Sequence, residues 1–106
     1  GVTIKAVILR EQAARDIEQA LDYYLETGGE GVAGAFVDAL EQALGHVARH
    51  PGAGSSRYAH ELDLPELKFW RVRDFPYLLF YVEGDDRIDL WRVLHGERDL
   101  PAWLRE

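Results

Sequence analysis

Between residues 11 and 50 the chain carries two helical stripes separated by the pair Gly28–Gly29, and this arrangement restricts its fold more than any other feature. In residues 11–27, Ala14, Ile17, Leu21, Tyr24 and Leu25 recur at steps of three and four, the spacing that lines one face of an α-helix. Asp16, Glu18, Asp22 and Glu26 fall largely off that stripe. Gly28–Gly29 ends it, because glycine takes the left-handed cap conformation without steric penalty. In residues 31–50, Ala33, Phe36, Val37, Leu40, Leu44 and Val47 form a second stripe. Arg49 and His50 sit at the negative end of its dipole, and Pro51–Gly52 stops it. So short a link predicts an antiparallel helical hairpin. Gly34 and Gly45 lie inside the second helix, where each costs about 1 kcal/mol against Ala. They either allow close approach to the first helix or weaken the second.

The remainder of the chain reads as strands. In residues 3–9, Ile4, Ala6 and Ile8 alternate with Thr3, Lys5 and Val7, and both phases are apolar enough for a strand covered on both faces. Residues 51–65, with Gly52, Gly54, Ser55 and Ser56, read as a polar connection and the longest break in the chain. Residues 67–74 alternate Leu67, Phe69, Arg71 and Arg73 against Lys68, Trp70, Val72 and Asp74. Residues 77–82 are the nearly continuous apolar run of a central strand. Residues 87–95 alternate Ile88, Leu90, Arg92 and Leu94 against Asp89, Trp91, Val93 and His95. Phe75–Pro76 and residues 83–86 are tight connections, so both strand pairs should be antiparallel hairpins. The predicted order is β-α-α-β-β-β, an α+β fold in a single domain over residues 1–106. Its helical hairpin covers one face of a small, mostly antiparallel sheet, and the other face is either solvated or reserved for a partner.

Composition narrows the function. The chain has 106 residues, 47% hydrophobic and 11% aromatic, enough for a packed core without a staple. It has no cysteine, which excludes a disulfide framework and thiolate metal sites. No apolar run approaches the roughly 20 residues of a membrane span. Lys5 interrupts the one apolar stretch near the start, so no secretory pattern is read there and the expected location is cytoplasmic. Without an initiator Met, Gly1 reads as a processed or trimmed start. The net charge of −7 argues against generic nucleic-acid binding, which needs clustered Lys and Arg. Residues 1–66 hold five basic and eleven acidic side chains, whereas residues 67–106 hold seven and eight. The cations therefore gather in the sheet half.

No phosphate-binding glycine loop, His-Glu-x-x-His helix, Gly-x-Ser-x-Gly elbow or cysteine nucleophile is present. His46, His50, His60 and His95 are too scattered for a metal site. His46 and His50 stand four apart near a helix end and are read as ordinary polar residues, so no metal or cofactor is expected. Arg71 and Arg73 share one phase of a strand, Arg92 lies in the next strand but one, and His95 and Arg98 follow at its end. Arginine and tryptophan are favoured at protein interfaces and in phosphate recognition. The alternative is that the arginines are solvated sheet residues paired with Asp74, Asp89 and Asp99. Trp70, Trp91 and Trp103 read first as core, with Trp103 the most exposed.

The segment Leu-Lys-Phe-Trp-Arg-Val-Arg-Asp-Phe-Pro-Tyr-Leu-Leu-Phe-Tyr, followed by Val-Leu-His-Gly-Glu-Arg-Asp-Leu, resembles the ParE branch of the ParE/RelE toxin superfamily. The marks are Phe75, Pro76, Tyr77, Phe80 and Tyr81, then His95, Gly96, Arg98 and Asp99. Upstream, Ala14 with Ile17, Tyr23–Tyr24, Phe36 with Leu40, and Pro51–Gly52 fit the same pattern in order. The resemblance covers nearly the whole chain. It implies the toxin of a type II toxin–antitoxin module, acting on DNA gyrase by binding rather than chemistry. It also implies a ParD-like antitoxin in a hetero-oligomer, its helix and extended strand covering the helical hairpin and the sheet edge. The residues expected to face the target are Arg71, Arg73, Arg92, His95, Arg98 and Trp103. Those assigned to the antitoxin are Tyr24, Phe36, Leu40, Phe80 and Trp91, of which Tyr24, Phe36 and Leu40 are chiefly core with exposed neighbours making contact.

The RelE branch cleaves mRNA on the ribosome and is the competing expectation, with His95, Arg73 and Arg92 as the catalytic set. The acidic total, the presence of only Lys5 and Lys68 as lysines, and Gly96 with no tyrosine beyond it favour the ParE branch. His95 also reads as a strand-end residue whose imidazole bonds local backbone. A non-toxic binding module on the same fold is the third alternative. The acidic N-terminal two-thirds implies an antitoxin contact dominated by apolar groups, or an antitoxin with compensating basic residues.

Overall fold

The computed structural model describes residues 4–105; residues 1–3, with Thr3 of the predicted first strand, and Glu106 lie outside them. Strand β1 (Ala6–Leu9) leads into helix α1 (Glu11–Arg49), followed by a short 3-10 turn (Pro51–Ala53). Strands β2 (Leu67–Arg71), β3 (Tyr77–Glu83) and β4 (Arg87–His95) come next, and a short helix α2 (Leu100–Leu104) follows. The sheet order is β1-β4-β3-β2, with β1 parallel to β4 and the other two pairs antiparallel.

Helix α1 is the predicted hairpin. Gly29 stands inside it at φ 79° and ψ −176°, a backbone state open essentially to glycine alone. The Tyr24 and Phe36 rings meet at 5.2 Å between centroids, whereas a straight helix would hold those positions about 18 Å apart. The chain therefore reverses at Gly29, and the backbone N–H of Lys5 reaches the carbonyl of Ala48 at 3.3 Å, beside the end of the returning arm. In that arm Ala33, Phe36, Leu40 and Val47 of the predicted stripe are buried, Val37 and Leu44 are partly buried, and Ala43 joins them in the core. The first arm is turned only partly from its predicted face, since Ile17, Leu21 and Tyr24 still pack on the core. Ala13, Asp16 and Ala20 are buried, Ala14 is exposed, and Leu25 keeps 46% of its surface. Asp16, read as a solvent-facing residue, is the one buried charged residue of the described chain.

The central strand is β3, where Tyr77, Leu78, Leu79, Phe80 and Tyr81 are all buried. Tyr77, Leu79 and Tyr81 pack toward α1 with Ile88, Leu90 and Val93. Leu78 and Phe80 pack on the opposite side with Leu67, Leu94 and Leu100. The strict alternation expected along β4 is broken, because Phe80 pairs with Arg92 while Tyr81 pairs with Leu90. Trp91 is the extra residue of a β-bulge, which moves Val93 to the α1 side and Leu94 to the other.

Two further expectations change. The sheet has no bare face, because Tyr58, Leu62, Leu64 and Trp103 cover the side opposite α1. Residues 51–66 are thus a packed strap rather than a polar connection. Ser55 extends it into the sheet, exchanging both backbone bonds with Phe69 at 2.9 Å. The first strand is not covered on both faces: β1 is an edge strand in which Ala6, Ile8 and Leu9 are exposed.

Candidate functional site

Past Leu90 strand β4 has no strand neighbour on its outer side among the described residues, since β1 ends at Leu9 and Arg10 donates its N–H to the Leu90 carbonyl at 2.9 Å. Unpaired backbone donors at such an edge need partners. Two aspartates supply them. Asp16 Oδ2 accepts the Val93 N–H at 2.9 Å, and Asp99 Oδ2 accepts the His95 N–H at 3.0 Å. Asp16 is also held by Arg92, whose Nε donates to Oδ2 at 2.8 Å and whose Nη2 donates to Oδ1 at 3.1 Å. Arg92 is therefore committed to the fold, with 23% of its side chain exposed.

The second group lies at the end of β4. His95 Nδ1 accepts the N–H groups of Glu97 at 3.1 Å and Arg98 at 3.0 Å, the local backbone role read from its strand-end position. Those bonds place the proton of the neutral ring on Nε2. Arg98 donates through Nε to Asp99 at 3.0 Å and through Nη2 to the Tyr77 hydroxyl at 3.2 Å. The bond to Asp99 raises the Arg98 pKa against the burial that would lower it. Burial pushes the Asp99 carboxyl up, but the Arg98 bond and the His95 N–H outweigh it and hold the carboxyl below its ordinary value. Tyr24 stands beside this group, its hydroxyl pKa raised by burial and by Tyr77 and Tyr23 against the pull of Arg98.

The third group is Arg71 and Arg73. Both are exposed and neither has an ion-pair partner among the described residues. They line a groove with His46 and Trp70, whose rings stack at 4.0 Å. Of the six residues expected to face a target, the fold thus holds Arg92, His95 and Arg98 in internal bonds and leaves Arg71 and Arg73 free. Trp103 is half-buried, with its ring against Phe80 at 4.8 Å and Arg92 over it at 5.9 Å. The trio His95, Arg73 and Arg92 is not gathered into one groove. Arg92 lines one with Trp91 and Trp103, and Arg73 lines the other.

Of the residues assigned to the antitoxin, Phe36, Leu40 and Phe80 are buried, while Tyr24 and Trp91 keep part of their surface. The exposed large apolar side chains are Ile4, Ile8, Leu9, Tyr23, Leu25 and Val32. Three lie in or beside β1 and three near the Gly29 bend. Sequence reading placed Ile4, Ile8 and Leu25 inside the core; only the edge position of β1 and the end of the hairpin reveal them as surface. Among the described residues no three His, Asp or Glu side chains come together to hold a metal. No helix there is long and apolar enough to cross a membrane.

Residues 7–100 match the family described as the ParE toxin of the type II toxin–antitoxin system parDE. The chain belongs to the ParE toxin family. A solved chain described as the chromosomal ParDE TA system from P. aeruginosa shares its fold at a TM-score of 0.74 and 16% identity, covering 90% of this chain and 99% of that one. No curated protein matches. The ParE match takes in the Phe75–Pro76 turn, the whole of β3 and β4 and the His95–Asp99 end, and stops before Trp103. In ParE terms, the His95-Gly96-x-Arg98-Asp99 motif is here a closed set of hydrogen bonds that terminates β4.

Proposed function

We propose that this ParE-family chain is a growth-inhibiting toxin that acts in the cytoplasm by binding DNA gyrase and is silenced by a ParD-like antitoxin. The observation that carries the reading is the family match across residues 7–100. Two features of the surface support it. The apolar side chains of β1 and of the hairpin bend offer an antitoxin the non-polar contact that an acidic toxin requires. An extended segment can pair with the open edge of β1 while a helix lies on the hairpin. Of the cations expected to face the target, Arg71 and Arg73 are the ones left without an ion pair among the described residues.

Purified chain should inhibit gyrase supercoiling and leave cleaved DNA. Co-purified antitoxin, encoded by the neighbouring reading frame, should restore activity. Expression of the chain alone should arrest growth. Codon-linked mRNA cuts after induction, with supercoiling intact, would replace gyrase with the ribosome as the target. Normal growth at good expression would remove the toxin reading altogether.

A further inference from the structure

We propose that the groove where β1 ends against β4 binds a small carboxylate with an apolar body. The groove holds about 310 Å³. Its apolar wall is Leu62, Leu64 and the rings of Trp91 and Trp103. Its polar groups are Arg10, Arg92, the Trp91 indole and Gln12, whose Nε2 donates to Asp16 Oδ1 at 3.3 Å. Arg10 lies over the Trp91 ring at 4.5 Å. The nearest carboxylate to Arg10 is Asp89 at 3.8 Å, and Arg87 draws on the same Asp89 at 3.5 Å. Two arginines share one aspartate, so one positive charge is uncompensated. Arg92 spends Nε and Nη2 on Asp16, which leaves Nη1 without a partner among the described residues. The indole Nε1 of Trp91 is buried and makes no hydrogen bond among the described residues.

A buried donor without an acceptor is uncommon and marks a place where a partner belongs. Few polar groups converging on an apolar cleft is the usual form of a ligand site. The surplus of one positive charge matches a monoanion, and a carboxylate offers the lone pairs that a guanidinium and an indole N–H need. Arg10 is half exposed, with 53% of its side chain accessible, so it can leave the ring to meet the ligand and uncover the indole N–H. The ligand's hydrocarbon then lies on Leu62 and Leu64 between the two tryptophans. The site shares no lining residue with the apolar patch or with the groove of Arg71 and Arg73, and it stands whether or not gyrase is the target.

The test follows the indole N–H signals of Trp70, Trp91 and Trp103 in nitrogen-labelled full-length chain during titration with octanoate, 3-phenylpropionate and octanol. The Trp91 and Trp103 signals should move and saturate with either carboxylate while that of Trp70 stays in place. Octanoate should bind at least about tenfold tighter than octanol, as expected for a charge-assisted contact. Trp91→Phe keeps an aromatic ring of smaller area and removes the donor, and Arg10→Ala removes a surface charge. Each should weaken octanoate binding about tenfold, read for the first variant at Trp103, and weaken octanol binding distinctly less. Signals that stay in place up to about 10 mM carboxylate, equal affinity for octanol and octanoate, or unaltered binding by Arg10→Ala would each overturn the proposal.

Discussion

Asp16 and Arg92 meet at 2.8 Å across 76 positions of sequence, and the same carboxylate oxygen takes the Val93 N–H at 2.9 Å. One side chain of the helical hairpin thus does for β4 what β1 does farther back along the strand. It satisfies the outer edge of the sheet and at the same time ties α1 to it. The bulge at Trp91 is part of this arrangement, because the shift it imposes separates the paired half of β4 from the half that Asp16 and Asp99 close.

Removing either partner should therefore unlock the hairpin from the sheet. Asp16→Ala leaves a guanidinium and a backbone N–H without an acceptor. We expect a loss of about 2–3 kcal/mol, somewhat below that of a fully buried pair because Arg92 retains access to water. The Asp16→Ala/Arg92→Leu double variant should lose less than the two single changes together, since no charge is then left alone. Urea unfolding of the four proteins measures the coupling. Strict additivity would show that the contact is incidental.

The hairpin was legible because two 3.6-residue stripes and a glycine pair are local signals that tertiary packing did not override. The tight connections between β2, β3 and β4 were legible for the same reason, as was the local backbone role of His95. Asp16 was not, because its partners lie far along the chain and a carboxylate on a helix ordinarily faces water. The bulge was hidden as well: nothing in an alternating strand marks which residue is the extra one. In the strap, Gly52, Gly54, Ser55 and Ser56 outweighed Tyr58, Leu62 and Leu64, whose spacing has no period until the sheet is there to receive them.

The two kinds of glycine in α1 should respond oppositely to substitution. A Cβ at Gly34 would meet nothing within 4 Å, so that residue neither brings the arms together nor serves a turn. Gly34→Ala should stabilise by about 0.5–1 kcal/mol through helix propensity. Gly29 has open space too, but its φ of 79° with extended ψ excludes other residues, and Gly29→Ala should destabilise by about 1–3 kcal/mol. Thermal unfolding distinguishes them. A destabilised Gly34→Ala would show that the exposed face of the second arm needs its glycine.

Tyr81 should limit stability in alkali. Its ring is buried and its hydroxyl donates to the Pro51 carbonyl at 2.7 Å. Burial pushes the phenol pKa up to about 12, against a bond from the Gly54 backbone that pulls it down. A folded-state pKa above the unfolded value of about 10 gives stability that is complete below pH 10 and is lost as pH rises toward 12. At full deprotonation the loss is about 2–3 kcal/mol. Tyr81→Phe should cost about 1 kcal/mol at neutral pH for the lost bond and flatten the decline between pH 10 and 12. Urea midpoints measured from pH 7 to 11.5 test this; an unchanged slope in Tyr81→Phe would assign the alkaline loss to other groups.

The arginines of the sheet half should separate into two phenotypes. Arg71 and Arg73 are exposed and unpaired, so Arg71→Ala/Arg73→Ala should leave the unfolding midpoint within about 0.5 kcal/mol of the parent while reducing growth arrest and gyrase inhibition. Arg92→Ala should lower both together, because it releases Asp16 and the edge of β4. His95→Ala removes the acceptor for the Glu97 and Arg98 N–H groups and should loosen the turn that ends β4, again with a stability cost. Toxicity compared at matched folded fraction therefore isolates the surface. A folded Arg71→Ala/Arg73→Ala variant with full toxicity would move the target-facing region away from β2. Loss of toxicity in Arg92→Ala at unchanged stability would return that residue to it.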